Sequence, residues 1–283
     1  MAEPRHPASL KSVLLATDLS ARCDRALDRA LLLTADAPDS LVAVHVIEKS
    51  GRNERVQGDA PLSPAALHEF PELAGPGRLV VAHGPVPTIV ARLAHDLKSD
   101  LIVTGVARYN SVGDFILGTA VDHLVRHAEI PVLVVKSRAR SPYRRLVVAS
   151  DFSSCSREAL IRAAAFFPDA AITLVHAYHV PYEGWLKSEG VKDEIDQEVR
   201  KRLDSFLTSI PDQDLLKRVH SRLDYGEPHG VVCRALREED ADLLVLGTHG
   251  RSGFAHATIG SWAADLLGAA AGDVLLVREL PSA

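Results

Sequence analysis

Residues 241–253 read Ala-Asp-Leu-Leu-Val-Leu-Gly-Thr-His-Gly-Arg-Ser-Gly, and Gly260-Ser261 follows after six further residues. The apolar run 241–246 is typical of a short buried strand in a parallel sheet. A helical pattern begins at Ser261. A glycine-rich loop therefore joins the carboxyl end of a strand to the amino end of a helix.

Such a connection suits a phosphate group. Glycines let a backbone approach a ligand closely, and the first amides of a helix are unpaired donors at the positive end of its dipole. Ser261 can act as the N-cap and offer its hydroxyl to the same anion. The alternative is that these glycines only shape a surface loop, and the rest of the chain has to decide between the two.

Composition limits the class of protein. The chain has 283 residues, of which 47% are hydrophobic, which is enough for two ordinary domains with their own cores. A net charge of −5 gives no basic field for nucleic acid. No signal-peptide segment and no uncharged stretch of membrane-spanning length is visible, so we expect a soluble cytoplasmic protein. The three cysteines, Cys23, Cys155 and Cys233, have no CxxC spacing, which indicates reduced thiols.

Four segments of the first half recur in the same order in the second half. The matches are Leu14–Ser20 with Val147–Ser153, Val44–Val46 with Val175–Ala177, Ser99–Gly105 with Ala241–Gly247, and Gly118-Thr119 with Gly260-Ser261. A repeat of this kind indicates two copies of one domain.

Each copy alternates β-branched runs with helical patterns. In the first copy we expect strands at 12–17, 41–47, 78–82, 100–104 and 132–135, and helices around 26–31, at 86–98 and at 119–128, the first of them capped by Ser20. This alternation predicts a parallel, doubly wound α/β sheet in each copy. Ligands of such sheets bind beyond the carboxyl ends of the strands, where Asp18 and Asp151 lie.

The copies differ most between their second and third strands. The first has a loop rich in glycine and proline over residues 51–77, which we expect to be irregular. In the second, one apolar helix face is formed by Val191, Ile195, Val199, Leu203, Phe206 and Ile210. The boundary falls near 137–142, which predicts domains at 1–138 and 139–283.

These features resemble the universal stress protein family over nearly the whole chain, from about Lys11 to Val277. The nucleotide motif of that family is a glycine, two residues, a second glycine, nine residues and then Gly-Ser or Gly-Thr. Gly247, Gly250 and Gly260-Ser261 match it in full. The resemblance implies two tandem domains, each a five-stranded, Rossmann-like sheet of the adenine nucleotide alpha-hydrolase type.

By this resemblance the second domain would bind ATP, with ADP or AMP as alternatives and Mg²⁺ accompanying the nucleotide. Asp151 would lie near the ribose, and Ala149 and Ala177 would flank the base. The phosphates would be surrounded by Leu246, Gly247, His249, Gly250, Gly260, Ser261 and Trp262. Asp at a strand end is also a common turn residue, and Trp is commonly a core or interface residue, so these structural roles stay open.

The first copy departs from the motif. It reads Gly105-Val-Ala107-Arg108, so that Arg108 stands in place of the second glycine. A side chain there can occupy the phosphate position, which makes the first site degenerate. The alternative is that Arg108 supplies a cationic phosphate contact in a rearranged loop.

Other chemistries lack their motifs. The chain has no GxxxxGK[ST], no GxGxxG after its first strand and no GxSxG elbow. His176 and His179 have no third metal ligand in sequence, and the recurrence of His45 and His176 at equivalent places indicates a shared structural role.

Three functions follow as hypotheses. The first is a non-catalytic, nucleotide-responsive regulator of stress adaptation with one intact ATP site and an unknown regulatory protein as partner. The second is an enzyme that cleaves ATP or transfers adenylyl groups, and slow hydrolysis stays open although neither SGGxDS nor HxGH is present. The third is an interaction scaffold that binds no nucleotide.

The last strands of the two copies, 131–135 and 273–277, look like the edges that pair domains in the family. We therefore expect an internal pseudo-dimer, with a further homodimer left open. Asp273 stands where the family usually has proline, which puts the second edge in doubt.

Overall fold

The computed structural model describes residues 10–48, 73, 78–106, 108–111, 114–116, 118–178, 189–248 and 259–279. For residues 78, 108–111, 114–116 and 189–193 it describes the backbone alone. The glycine- and proline-rich loop predicted at 51–77 lies outside the described residues, apart from Leu73, which is buried.

Strands and helices alternate in both halves of the chain. The strands are β1 (Val13–Thr17), β2 (Leu41–Ile47), β3 (Arg78–His83), β4 (Leu101–Thr104), β5 (Arg108–Ser111), β6 (Asp114–Ile116), β7 (Val132–Val134), β8 (Arg145–Ala149), β9 (Ala171–Tyr178), β10 (Val219–Tyr225), β11 (Leu243–Gly247) and β12 (Asp273–Val277). The helices are α1 (Asp24–Leu33), α2 (Val86–Asp96), α3 (Thr119–His127), α4 (Ser154–Phe166), α5 (Glu189–Thr208), α6 (Gln213–Lys217), α7 (Pro228–Glu238) and α8 (Ser261–Ala269), with a 3₁₀ turn at Pro38–Ser40.

Ten of these strands form one continuous sheet. The first domain contributes β3-β2-β1-β4-β7 and the second β10-β9-β8-β11-β12, with parallel neighbours throughout each five-stranded half. The halves join where β12 and β7 pair antiparallel, with Leu275 opposite Leu133. The predicted α/β fold, with a doubly wound five-stranded sheet in each domain, is confirmed.

Helices cover both faces of the sheet. Leu14 and Leu15 show this on the central strand β1, since they point to opposite faces and both have no exposed surface. Leu15 packs in the layer that contains α1 and α4, and Leu14 in the layer that contains α2, α3, α7 and α8. Burying a side chain of this size contributes roughly 1.5–3 kcal/mol to stability. Because both faces of the sheet are covered, consecutive residues of a strand are all apolar and do not alternate with polar ones.

The predicted apolar face of the helix in the second copy is present on α5. Val199 and Phe206 are buried, and Ile210 is buried just after the helix ends. Among the described residues, no helix is long and apolar enough to cross a lipid bilayer.

The predicted cap on the first helix is wrong. Helix α1 begins at Asp24 with Cys23 in the N-cap position, and Cys23 makes no side-chain capping bond. Ser20 instead donates its hydroxyl (2.6 Å) and its amide (2.9 Å) to Oδ1 of Asp18. The carboxylate of Asp18 therefore binds the serine hydroxyl that would otherwise be available to cap the helix.

Asp273 anchors the junction between the domains. It begins β12, its side chain has no exposed surface, and Oδ1 accepts the amides of Lys136 and Ser137, each at 2.8 Å. Oδ2 accepts the hydroxyl of Tyr143 at 2.5 Å and lies 3.5 Å from Nε of Arg29. The doubt about the second edge is therefore resolved: without proline at this position, the strand still forms and its carboxylate holds the linker.

Candidate functional site

A cleft of about 210 Å³ opens in the second domain, beyond the carboxyl ends of β8, β9 and β11. The winding of this half of the sheet reverses between β8 and β11, and open α/β sheets bind ligands at such a point. The cleft is lined by Ala149, Ser150, Asp151, Ser156, Val175, His176, Ala177, Pro228, Val232, Leu246, Gly247, Thr248, Gly260, Ser261, Trp262, Ala263 and Leu266.

Eight of the ten residues predicted for the site meet at this cleft. They are Ala149, Asp151, Ala177, Leu246, Gly247, Gly260, Ser261 and Trp262. The other two, His249 and Gly250, lie outside the described residues. Segments that are about a hundred residues apart in sequence are thus brought to one edge of the sheet by parallel strand pairing.

The floor of the cleft is apolar. Ala149, the last residue of β8, pairs in register with Val175 on one side and with Leu246 on the other, so these three residues lie next to one another across the sheet. Leu246 and Val175 are buried in the core layer that also contains α7 and α8. A flat apolar floor of this kind accommodates a planar ring better than a charged group.

Asp151 stands in a tight turn at the edge of the cleft. Its Oδ1 accepts the amide of Ser153 at 3.0 Å, which is the turn role that the sequence left open. Phe152, between them, has a positive φ of 62°. The carboxylate is thus held in place by its own turn while it lines the cleft.

A network of hydrogen bonds fixes the wall behind this turn. The hydroxyls of Ser150 and Ser156 are 2.8 Å apart, and Ser156 donates to the carbonyl of Ser153 at 3.0 Å. Nδ1 of His176 lies 2.7 Å from the carbonyl of Ser150 and must carry the proton in this bond, since a carbonyl can only accept. The ring of His176 stacks on Phe152 with centroids 4.1 Å apart.

His45 repeats this arrangement in the first domain, with Nδ1 at 3.1 Å from the carbonyl of Thr17. Both histidines therefore tie the second strand of their domain to the turn after the first strand. This is the shared structural role that their recurrence in the sequence predicted.

Gly247 allows α4 to pack closely against the end of β11. A Cβ atom added there would lie 3.0 Å from Sγ and 3.1 Å from the carbonyl carbon of Cys155, in the first turn of α4. Such distances are tighter than most packed side chains show, so a side chain at this position would require α4 to shift by a few tenths of an ångström from the end of β11. This glycine serves the wall of the cleft, whatever ligand occupies it.

The amino end of α8 forms the opposite side of the cleft. Gly260 occupies the N-cap position with φ −59° and ψ 147°, and Ser261 is the first helical residue. The expectation that Ser261 is the N-cap is therefore wrong by one residue, because the amide of Gly260 is already bonded to the carbonyl of Thr248 (2.8 Å) and fixes the start of the helix. By helix geometry the next amides have no intrahelical acceptor and are available to an anion.

Trp262 is not a core residue. It lines the cleft and is 49% exposed, so its indole can cover a ligand at the mouth. Next to it, Nδ1 of His229 on α7 lies 2.7 Å from Oδ2 of Asp265 on α8, which links the two helices that flank the mouth.

Sequence reasoning missed the contribution of α7. Pro228 and Val232 line the cleft, as do Leu266 and Thr248. The apolar spacing of α7 in the sequence predicts only that one of its faces is buried. Which end of that face borders a cleft depends on how the helix crosses the sheet.

The corresponding turn of the first domain is built in the same way. Leu19 has φ 56°, as Phe152 has φ 62°, and Oδ1 of Asp18 accepts the amide of Ser20 at 2.9 Å. Burial opposes ionisation of Asp18, but hydrogen bonds from Ser20 and Cys23 outweigh it and lower the pKa of the carboxyl. Burial raises the pKa of the Cys23 thiol to about 11, so Cys23 acts here as a neutral donor to Asp18 (3.1 Å).

The phosphate-loop region of the first domain differs from that of the second. Arg108, at the position of the missing glycine, begins β5, which pairs antiparallel with β6 so that Arg108 is opposite Ile116. Gly118, before α3, has φ 86°, whereas Gly260, before α8, has φ −59°. The peptide groups at the start of the two helices therefore point in different directions.

The described lining of the second-domain cleft is mostly uncharged. It contains the carboxylate of Asp151 and no lysine or arginine. Among the residues that the structure describes, no group of three His, Cys, Asp or Glu side chains could hold a metal ion. An anion in the described part of the cleft would thus contact backbone amides and hydroxyls rather than a lysine or an arginine.

Comparison with known proteins agrees with this architecture. The model of the universal stress protein family matches residues 9–136 and again 142–278. A Staphylococcus aureus (strain USA300) protein named as a universal stress protein is 29% identical over 140 residues, which cover 45% of this chain and 84% of that protein.

Two solved structures are similar over nearly the whole chain. A universal stress protein from Archaeoglobus fulgidus DSM 4304 is 18% identical with a TM-score of 0.64, covering 95% of this chain and 98% of that one. A functionally unknown protein from Pseudomonas aeruginosa PAO1 is 20% identical with a TM-score of 0.66, covering 95% and 92%. Two matched domains and a shared fold lead to one conclusion: the chain belongs to the universal stress protein family, as a tandem of two such domains.

Proposed function

We propose that this chain binds ATP, with Mg²⁺, in the second-domain cleft and acts as a non-catalytic, nucleotide-responsive regulator. The observation that carries the proposal is the meeting of three different surfaces in one cleft. These are an apolar floor at Ala149, Val175 and Leu246, a fixed carboxylate at Asp151, and the free amino end of α8. A base, a ribose and a phosphate chain require these three surfaces in turn.

The first domain serves as a structural partner in this proposal. It keeps the turn at Asp18 but has the β5–β6 hairpin and a left-handed Gly118 where the second domain has its motif. We therefore propose one nucleotide site per chain, with the antiparallel pairing of β7 and β12 making an internal pseudo-dimer.

A matched pair of substitutions tests the proposal. Asp151→Asn keeps an oxygen that can accept the Ser153 amide, so the turn survives, but it removes the charge offered to ribose hydroxyls. We expect the dissociation constant for ATP to rise about tenfold, because a hydrogen bond to a charged group exceeds a neutral one by about 1.4 kcal/mol. Asp18→Asn makes the same change in the first domain and should leave the dissociation constant unchanged.

Isothermal titration calorimetry on nucleotide-free protein, with Mg²⁺ and with EDTA, gives these constants. Equal effects of both substitutions would contradict a single site. Failure of the unmodified protein to bind ATP, ADP or AMP would exclude the nucleotide proposal and favour the scaffold hypothesis. If the unmodified protein releases phosphate from ATP and Asp151→Asn does not, the enzyme hypothesis would be favoured.

A further inference from the structure

A lysine of the first domain caps the carboxyl end of a helix in the second domain. Lys136 lies just after β7 and is buried, with 3% of its surface exposed. Its Nζ donates to the carbonyls of Leu267 (2.6 Å) and Ala270 (2.7 Å), at the carboxyl end of α8. The last carbonyls of a helix have no intrahelical amide partner, so Lys136 satisfies two of them from across the domain junction.

The other end of α8 forms the cleft through Ser261 and Trp262. The helix has nine residues and is therefore about 13 Å long. A cation at the carboxyl end of a helix and an anion at its amino end both interact favourably with the helix dipole. A short rigid element thus connects Lys136 with the place where a phosphate would bind.

The backbone of Lys136 is held by both domains. Its amide donates to Oδ1 of Asp273 at 2.8 Å, and its carbonyl accepts from Nη1 of Arg25 at 2.5 Å. The position of the ammonium group, and hence of the end of α8, therefore depends on how α1 of the first domain meets β12 of the second.

A weaker contact runs in the opposite direction. Arg278 follows β12 as Lys136 follows β7, and its Nη1 donates to the carbonyl of Arg126 at 3.4 Å in the last turn of α3. Helix α3 lies in the first domain, where the nucleotide motif is incomplete. The chain thus offers a matched control for Lys136.

We propose that Lys136 is a positioning residue for the second-domain cleft, through which the first domain sets the position of α8 and thereby the affinity for the ligand. This inference rests on the nucleotide site proposed above. It assigns the first domain a task that does not require it to bind nucleotide itself.

The charge on Lys136 makes the contact sensitive to pH. Burial lowers the pKa of Lys136 to about 7, and Asp273 opposes the shift. Among the described residues, Arg25 on α1 donates to the carbonyl of Lys136, and Arg29 on α1 and Tyr143 on the linker contact Asp273. Because deprotonation removes the cation from the end of α8, we expect nucleotide affinity to fall about two- to fivefold as pH rises from 6 to 8.

The test compares Lys136→Met with Arg278→Met by calorimetric titration of ATP and Mg²⁺ at pH 6 and pH 8. Lys136→Met should weaken binding roughly three- to tenfold at pH 6, where the lysine is charged, and should lose the part of the pH dependence that the lysine supplies. Arg278→Met should behave as the unmodified protein. The titrations of ATP itself and of the pair His229 and Asp265 contribute equally to the pH dependence of all three proteins, so they cancel when the proteins are compared.

Unchanged affinity and pH dependence in Lys136→Met would overturn the inference. Equal weakening by both substitutions would overturn it as well, because it would indicate a general disturbance of the junction. If Lys136→Met fails to fold, Lys136→Gln, which keeps an amide donor, replaces it. Weaker ATP binding that depends less on pH supports the inference. An affinity and pH dependence equal to those of the unmodified protein overturn it.

A measurement without nucleotide separates this inference from the proposed function. Amide hydrogen exchange of α8 in the unliganded protein should be faster in Lys136→Met than in Arg278→Met or the unmodified chain. If the unmodified protein does not bind ATP, the proposed function fails, while unchanged exchange in α8 would independently overturn the role of Lys136.

Discussion

The buried carboxylate of Asp273 should be among the most costly side chains to remove. It accepts the amides of Lys136 and Ser137 at 2.8 Å and the hydroxyl of Tyr143 at 2.5 Å, and it faces Arg29. Asp273→Ala would leave these donors buried without an acceptor. Breaking a buried ion pair by removing one partner typically costs about 3–5 kcal/mol, so we expect a loss of that size in the free energy of unfolding.

Asp242 provides the matched control for this prediction. Its Oδ2 accepts two consecutive amides, of Arg144 (2.8 Å) and Arg145 (2.9 Å), but its side chain is 29% exposed. Water can replace the lost acceptor there, so Asp242→Ala should cost only about 1–2 kcal/mol. Urea unfolding followed by circular dichroism measures both losses. A loss below about 1 kcal/mol for Asp273→Ala, or equal losses for the two variants, would refute the argument that burial makes Asp273 the anchor.

Two further predictions concern stability. Because the pKa of Lys136 is lowered to about 7 in the folded protein, the unfolded chain binds more protons between pH 7 and the usual lysine range near 10.5. Lys136 should therefore add a contribution to the free energy of unfolding that increases with pH over this window, by at most about 1.4 kcal/mol per pH unit. This contribution should be absent in Lys136→Met. If urea unfolding gives the same dependence on pH for both proteins, the prediction is contradicted. Gly118→Ala should destabilise the protein more than Gly260→Ala. Both glycines are N-caps, where alanine costs about 0.5–1 kcal/mol relative to glycine, but only Gly118, at φ 86°, adds the strain of a positive φ, about 1–2 kcal/mol, since Gly260 has φ −59°. Thermal unfolding that ranks the two variants in the reverse order would contradict the backbone assignment.

Local patterns were sufficient to predict the fold. The strand predicted at 41–47 has those bounds, and the one predicted at 132–135 ends one residue earlier. Continuous apolar runs of this length are diagnostic because both faces of the sheet are covered by helices. The internal repeat then carried the assignment from one domain to the other.

Capping was predicted less well. Ser20 and Ser261 are both good N-cap residues by type, yet neither is an N-cap. Ser20 is taken by the turn at Asp18, and the start of α8 is fixed by the bond between Gly260 and Thr248. Several acceptors compete for one serine within a few residues, and pattern reasoning does not rank them.

The residues that sequence reasoning missed depend on tertiary geometry. Pro228 and Val232 reach the cleft because α7 crosses the sheet there, and Lys136 reaches α8 because β7 pairs with β12. Asp273 was noted only as a departure from the proline usual in the family. Its partners are Arg29 on α1 and three residues of the segment 136–143, so no local window of sequence contains them together with Asp273.

The stoichiometry of ATP binding tests the central claim most directly. Isothermal titration calorimetry on nucleotide-free protein should give one site per chain, and Gly250→Arg, which copies Arg108 of the first domain into the second-domain motif, should abolish it. Two sites per chain, or a single site that survives Gly250→Arg, would contradict the account.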